Sequence, residues 1–217
     1  MQKVQRRTFL LIQVLLDADT VTGMSEQTGR RERKKAQTRK ALADAALDLF
    51  LDRGYDQVGL REVADAADVS VTTLFKYFPS KESLVFDIDE DVEAALVAAV
   101  RDRAPGRPVL KAVHEHVLQR ATAVVAYPHT AAFTRMVEDT PVLREYSRRM
   151  WLRHETALAE AITDAVGAPA DDIGCAALAR FALDAVALAH QHPDPPQAID
   201  TIFALLEHGW TATHPGT

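Results

Sequence analysis

The chain has 217 residues, 47% hydrophobic and 26% charged, with a formal net charge of −6 at pH 7. That is enough apolar material for one sizeable core or two modest ones. A single cysteine, Cys175, excludes an internal disulfide framework and a cysteine zinc site, so a reducing cytoplasm is the expected setting. The acidic average argues against indiscriminate nucleic-acid binding, but the charge is unevenly spread. Arg30, Arg31, Arg33, Lys34, Lys35, Arg39 and Lys40 crowd one short segment, and an acidic run follows at Asp87, Asp89, Glu90, Asp91 and Glu93. A basic end on an acidic body orients a molecule on a polyanion.

The first residues, MQKVQRRTFLLIQVLL, set basic residues before a short apolar run. They lack an Ala-x-Ala-like cleavage site and are too short to span a bilayer, so no membrane partner is expected. Residues 1–29 are expected to be a disordered or loosely packed extension. From Arg31 to about Arg53, Leu42, Ala45, Ala46, Leu49 and Phe50 define one amphipathic helix. Gly54 supplies its left-handed stop, and Tyr55 and Val58 are placed to pack back under it.

The stretch Leu60–Lys81, LREVADAADVSVTTLFKYFPSK, reads as two short helices joined by a tight turn. Leu60, Val63, Ala64 and Ala67 fall three and four apart in the first, and the small Ala64 lets the second cross close above it. Ser70 is a good N-cap for that second helix. Leu74 and Phe78 point back at the first helix, leaving Thr72, Thr73, Lys76 and Tyr77 on the other face. Hydroxyls, a cation and an aromatic tip fit the wall of a DNA major groove. A helical hairpin with a solvated face shows the same pattern, so the flanking residues decide.

The run Lys35–Leu84 resembles the N-terminal domain of the TetR family of bacterial transcription regulators. The matching residues are Arg39, Ala45-Ala46, Leu49-Phe50, Gly54-Tyr55, Val63-Ala64, Val69-Ser70, Thr73-Leu74, Tyr77-Phe78 and Ser80-Lys81-Glu82. The resemblance implies groove contacts from Thr72, Thr73, Lys76 and Tyr77, base or backbone contacts from Arg61 and Lys81, and phosphate contacts from Lys34, Lys35 and Arg39. Three positions depart from the family pattern. Gly59 stands where a Thr commonly caps, Asp68 where the turn usually has Gly, and Phe75 where a Tyr is usual.

From Ser80 the chain is expected to restart as one long helix to about Arg103, with Leu84, Val85, Ile88, Val92, Leu96 and Val100 at helical spacing. Further helices are expected over Val109–Ala126, His129–Glu138, Val142–Val166, Asp171–His190 and Gln197–Trp210, bounded by Pro, Gly or Asp. No G-x-S-x-G, P-loop, dinucleotide fingerprint or H-E-x-x-H occurs, so no enzymatic activity, cofactor or metal is expected. His114 and His116 are two apart and point to different sides of a helix, a poor metal pair. Cys175 reads as a small core residue.

Arg120, Tyr127, Phe133, Met136, Trp151 and His154 mix apolar bulk with a few polar groups, the composition of ligand pockets in helical bundles. Any one of them is more often plain core. As a group, in a chain with this resemblance, they are expected to line a pocket for a hydrophobic or amphipathic small molecule. The last two helices are the most apolar in the chain, and the first of them is apolar on more than one face, which fits the family's intersubunit four-helix bundle, with Phe181, Val186 and Leu206 in the dimer interface.

The fold expected is all-α. An N-terminal three-helix helix-turn-helix domain over residues 30–79 precedes a C-terminal antiparallel helical bundle, residues 80–217, that binds ligand and dimerises. The implied function is a ligand-responsive regulator, a repressor in most of the family, that binds palindromic double-stranded operator DNA as a homodimer and is released by a small-molecule effector. Two other readings stay open: a DNA-anchored adaptor whose body binds another protein, and a helical-bundle enzyme with a fortuitous N-terminal motif.

Overall fold

A computed structural model describes residues 29–126, 129–189 and 192–213, and among them lie ten α-helices and no strand. The expected extension, save Gly29, falls outside the described residues, as do Tyr127 and His190.

Helix α1, Arg30–Arg53, buries Leu42, Ala43, Ala46 and Phe50, while Ala45 and Leu49 lie half-buried beside that stripe. Gly54 then takes φ 90° and ψ 141°, a positive-φ region outside the left-handed helical well that only glycine enters readily. The reversal brings Tyr55 beneath α1, its ring centroid 5.1 Å from that of Phe50. Helix α2, Leu60–Ala66, and helix α3, Val71–Tyr77, form the hairpin. Val63, Ala64 and Leu74 are fully buried where the two cross.

Gly59 offers α2 no side chain, and the Glu62 carboxylate substitutes by accepting from the Gly59 N–H at 2.8 Å. At α3 the Ser70 hydroxyl accepts from the Thr73 N–H at 3.1 Å, a cap that stabilises by about 1 kcal/mol. Between the helices Asp68 sits at φ 53°, alone among the described non-glycine residues in taking a positive φ.

The continuous helix expected from Ser80 to Arg103 is two helices, α4 over Lys81–Val85 and α5 over Asp89–Arg101. Leu84, Val85 and Phe86 are all buried, and three consecutive side chains cannot share one helical face. The chain therefore bends at Phe86, whose ring stacks on Tyr146 at 5.1 Å and meets Phe133 edge-on at 6.3 Å. Asp89, Glu90 and Asp91 then occupy the first turn of α5, where acidic residues complement the helix dipole.

The body continues with α6, Val109–Ala126, and α7, Thr130–Asp139. Helix α8 runs Pro141–Val166, α9 Ile173–Ala189 and α10 Pro195–Thr213. Gly167 stops α8 in the left-handed conformation, φ 67° and ψ 29°. Cys175 is fully buried in α9.

Apolar packing forms two clusters. The first, on the expected DNA side, joins Leu42, Phe50, Val63, Leu74 and Phe78 of the N-terminal helices to Phe86, Phe133, Val137, Leu143 and Met150. The second lies among α5, α6, α8, α9 and α10, around Val92, Val113, Trp151, Leu158, Leu183 and Phe203. Each side chain so buried stabilises by about 1.5–3 kcal/mol. Helix α8 contributes to both: Leu143 and Met150 to one, Trp151, Leu158 and Ile162 to the other. No described helix is long and apolar enough to cross a membrane. No cluster of three or more His, Cys, Asp or Glu suited to a metal occurs among the described residues.

Candidate nucleic-acid interface

A groove of about 860 Å³ runs between the N-terminal half of α1 and the α2–α3 hairpin. Arg31, Lys34, Lys35 and Thr38 line one wall, and Asp68, Thr73, Lys76 and Tyr77 the other. The first turns of α1 extend past the hairpin because their side chains, Arg30 to Gln37, are exposed and nothing apolar draws them into the core. Among the described residues, the side-chain ammonium groups of Lys34, Lys35 and Lys76 make no hydrogen bond or ion pair, so they are available to an anion.

Arg61 and Thr72 are exposed, on the first turns of α2 and α3, outside the groove lining. Arg39 and Lys81 are half-buried, and the fold uses part of their donor capacity. The Arg39 guanidinium lies 4.6 Å from the Phe78 ring centroid and donates to the carbonyls of Tyr77, at 3.1 Å, and Asp87. It thereby ties α1 to the end of α3 and to the bend between α4 and α5. The Lys81 ammonium stands 4.1 Å from the Tyr55 ring centroid and donates to the Tyr55 carbonyl, and burial lowers its pKa.

On the far side of the same bend lies a polar cluster that sequence reasoning missed. Asp89, at the start of α5, is reached by His154 Nε2 at 2.6 Å and by the Arg153 guanidinium, both from α8. Arg153 also donates to Glu93 at 3.1 Å, and His154 is fully buried. Burial alone would push the Asp89 carboxyl up, but the hydrogen bonds from His154 and Arg153 prevail and hold it below the ordinary carboxylate value. The bend is thus held from the DNA side by Arg39 and from the body side by His154, Arg153, Tyr146 and Phe133.

Of the six residues expected to line one pocket, Tyr127 lies outside the described residues, and the other five are divided between different surroundings. Phe133 is buried in the DNA-side cluster, and Met136 packs half-buried against it. Trp151 belongs to the body cluster, and His154 is engaged with Asp89. Arg120 is buried on α6, where burial pushes it down to about 10. On the same helix, burial and then the Arg120 charge push His116 down to about 4. Its neighbour His114 is turned outward, 2.8 Å from Asp200 and stacked on Phe203.

Helices α9 and α10 present an apolar surface to solvent. Ile173, Phe181, Leu188 and Leu205 are exposed, and Phe181, Leu205 and Leu206 flank a shallow groove of about 200 Å³ floored by Gly174 and Ala177. Val186, expected in the same interface, is instead buried in the protomer's own core, since it falls on the face of α9 turned inward.

Residues 42–88 match the family model described as bacterial regulatory proteins, tetR family. Over 171 residues the chain is 32% identical to the transcriptional regulator TcmR of Streptomyces glaucescens, covering 71% of this chain and 74% of that one. It is 33% identical over 130 residues to the transcriptional repressor KstR of Rhodococcus jostii, covering 59% of this chain but only 54% of that relative. The crystal structure of a TetR-family regulator from Streptomyces coelicolor A3 superposes with a TM-score of 0.59 at 20% identity, covering 87% of this chain and 99% of that one, a likeness of fold.

Proposed function

The chain belongs to the tetR family of bacterial regulatory proteins, and on that premise we propose that it is a cytoplasmic transcriptional repressor that binds a palindromic operator as a homodimer. The observation that carries this reading is the groove lined by Arg31, Lys34, Lys35 and Lys76, whose width lies between a basic helix end and the exposed side of α3. A phosphate strand in that groove neutralises the ammonium groups while Thr73, Lys76 and Tyr77 reach toward base edges. Residues 30–79 supply the DNA-binding unit in this reading, and residues 80–217 supply dimerisation and the response to ligand.

Dimerisation is supported by the exposed apolar surface of α9 and α10, since Phe181 and Leu205 would leave water in a symmetric contact. Two recognition helices then meet successive major-groove segments about 34–36 Å apart. Release by a small hydrophobic or amphipathic effector is supported by two polar groups in a largely apolar body, the buried Arg120 and the half-buried His116. The repressor sense is supported by KstR, whose description is that of a repressor. The protein acts by binding, not by catalysis.

Selection of duplexes from a random pool is expected to enrich an inverted repeat. If a dimer neutralises roughly six to ten phosphates, affinity for it should fall about 10³- to 10⁵-fold between 50 and 200 mM salt. Enrichment of no repeat, or a flat salt titration, would overturn the reading.

A further inference from the structure

The turn between α2 and α3 carries a residue that works against both the fold and the proposed ligand. Asp68 holds φ 53°, a backbone conformation that glycine takes more easily. Its side chain is exposed, and among the described residues it makes no hydrogen bond or ion pair that would reward a carboxylate there. It nevertheless lines the groove, where it is the single acid among Arg31, Lys34, Lys35 and Lys76. Gly and Asn also suit this backbone, so what distinguishes Asp68 in the groove is its charge.

We propose that Asp68 is an electrostatic brake on DNA binding, its carboxylate repelling the phosphate strand that the groove's cations attract. This rests on the DNA-binding reading above. Affinity for duplex DNA is dominated by the phosphate backbone, so one like charge in the groove weakens binding to every sequence, operator or not. The brake keeps the operator complex within reach of an effector, whose coupling typically changes affinity by only about 5- to 150-fold. A groove without it would hold the operator more tightly and would retain more protein on it at saturating effector.

The test compares wild type with Asp68→Asn and Asp68→Gly, using a random-sequence 30-base-pair duplex and the repeat recovered by selection. Asparagine keeps the shape and tolerates the left-handed backbone but has no charge. Asp68→Asn should bind both duplexes about three- to tenfold more tightly near 100 mM salt, two carboxylates having been removed per dimer. The slope of log affinity against log salt should steepen, because the groove's cations then compete for phosphate without an internal anion, a change that a purely structural effect would not produce. Asp68→Gly should bind like Asp68→Asn while melting at a higher temperature. Unchanged affinity and slope in Asp68→Asn would overturn the brake. So would tighter binding confined to Asp68→Gly, which would trace the effect to backbone strain. Loss of operator affinity alone would also overturn it, since Asp68 would then be accepting a hydrogen bond from a base. Should wild type bind neither duplex in a salt-dependent way, the DNA-binding reading itself falls, a result distinct from any of these.

Discussion

Replacing Asp89 by Asn removes the charge at the start of α5 while keeping its outline. The carboxylate is 10% exposed and takes one hydrogen bond from the fully buried His154 at 2.6 Å and another from Arg153. Removing one partner of a buried pair costs about 3–5 kcal/mol because the other is left uncompensated. Arg153 is half-exposed and keeps Glu93, so the cost here belongs near or below the lower end, about 2–3 kcal/mol. In a chain of this length each kcal/mol shifts Tm by about 2–4 °C, which places the variant about 4–12 °C below wild type. Asp89 has a lowered folded pKa, so its stabilisation is complete above the ordinary carboxylate value and is lost as pH falls through the lowered one. Thermal melts followed by circular dichroism should therefore differ at pH 7 and converge as pH falls well below the ordinary carboxylate value. Addition of His154→Gln to the Asn variant should cost little more, since the two act on one contact. A variant melting within 1 °C of wild type at pH 7 would refute the reasoning.

Phe181→Glu should yield folded monomers by sedimentation at micromolar concentration, because the side chain is exposed in the protomer and a charge there is buried only on pairing; an intact dimer would move the interface elsewhere. His116 is held down to about 4 by burial and then by Arg120, whereas the unfolded imidazole titrates near 6.5. The unfolded chain thus binds more protons between those values, and stability should fall by about 2–3 kcal/mol as pH drops from 6.5 to 4. His116→Gln should flatten that part of the urea-unfolding profile, and superimposable profiles for the two proteins would contradict it.

The hairpin was legible because its determinants are local. Ser70 caps three residues ahead, and Val63, Ala64, Leu74 and Phe78 meet within one short stretch. The bend at Phe86 was masked by Leu84, Ile88, Val92 and Leu96, whose spacing runs through it as though nothing broke. Its signals were present in the run Leu84-Val85-Phe86, too apolar for one face, and in the acids that follow. The Asp89–His154 contact was not legible, for its partners stand 65 residues apart and neither carries a motif. Arg39 and Lys81 show a further limit. A basic residue in such a stretch looks the same in sequence whether or not some of its donors are also held by carbonyls of the fold, as they are here.

Helix α8 is 26 residues long, about 39 Å, and lends side chains to both apolar clusters. Melting either cluster therefore strips partners from the other: loss of the DNA-side packing uncovers Leu143 and Met150, one position from Trp151 in the body. Such an arrangement makes the molecule thermodynamically indivisible. Its unfolding should be a single cooperative transition, with calorimetric and van't Hoff enthalpies in agreement. The N-terminal helices cut free at Pro79 would leave Phe78 and Leu74 without the Phe86, Phe133 and Met150 that complete their cluster. Exchange of DNA-reading heads between such proteins is accordingly a matter of matching the seam at Phe86, Phe133 and α8, more than of choosing where to cut the chain.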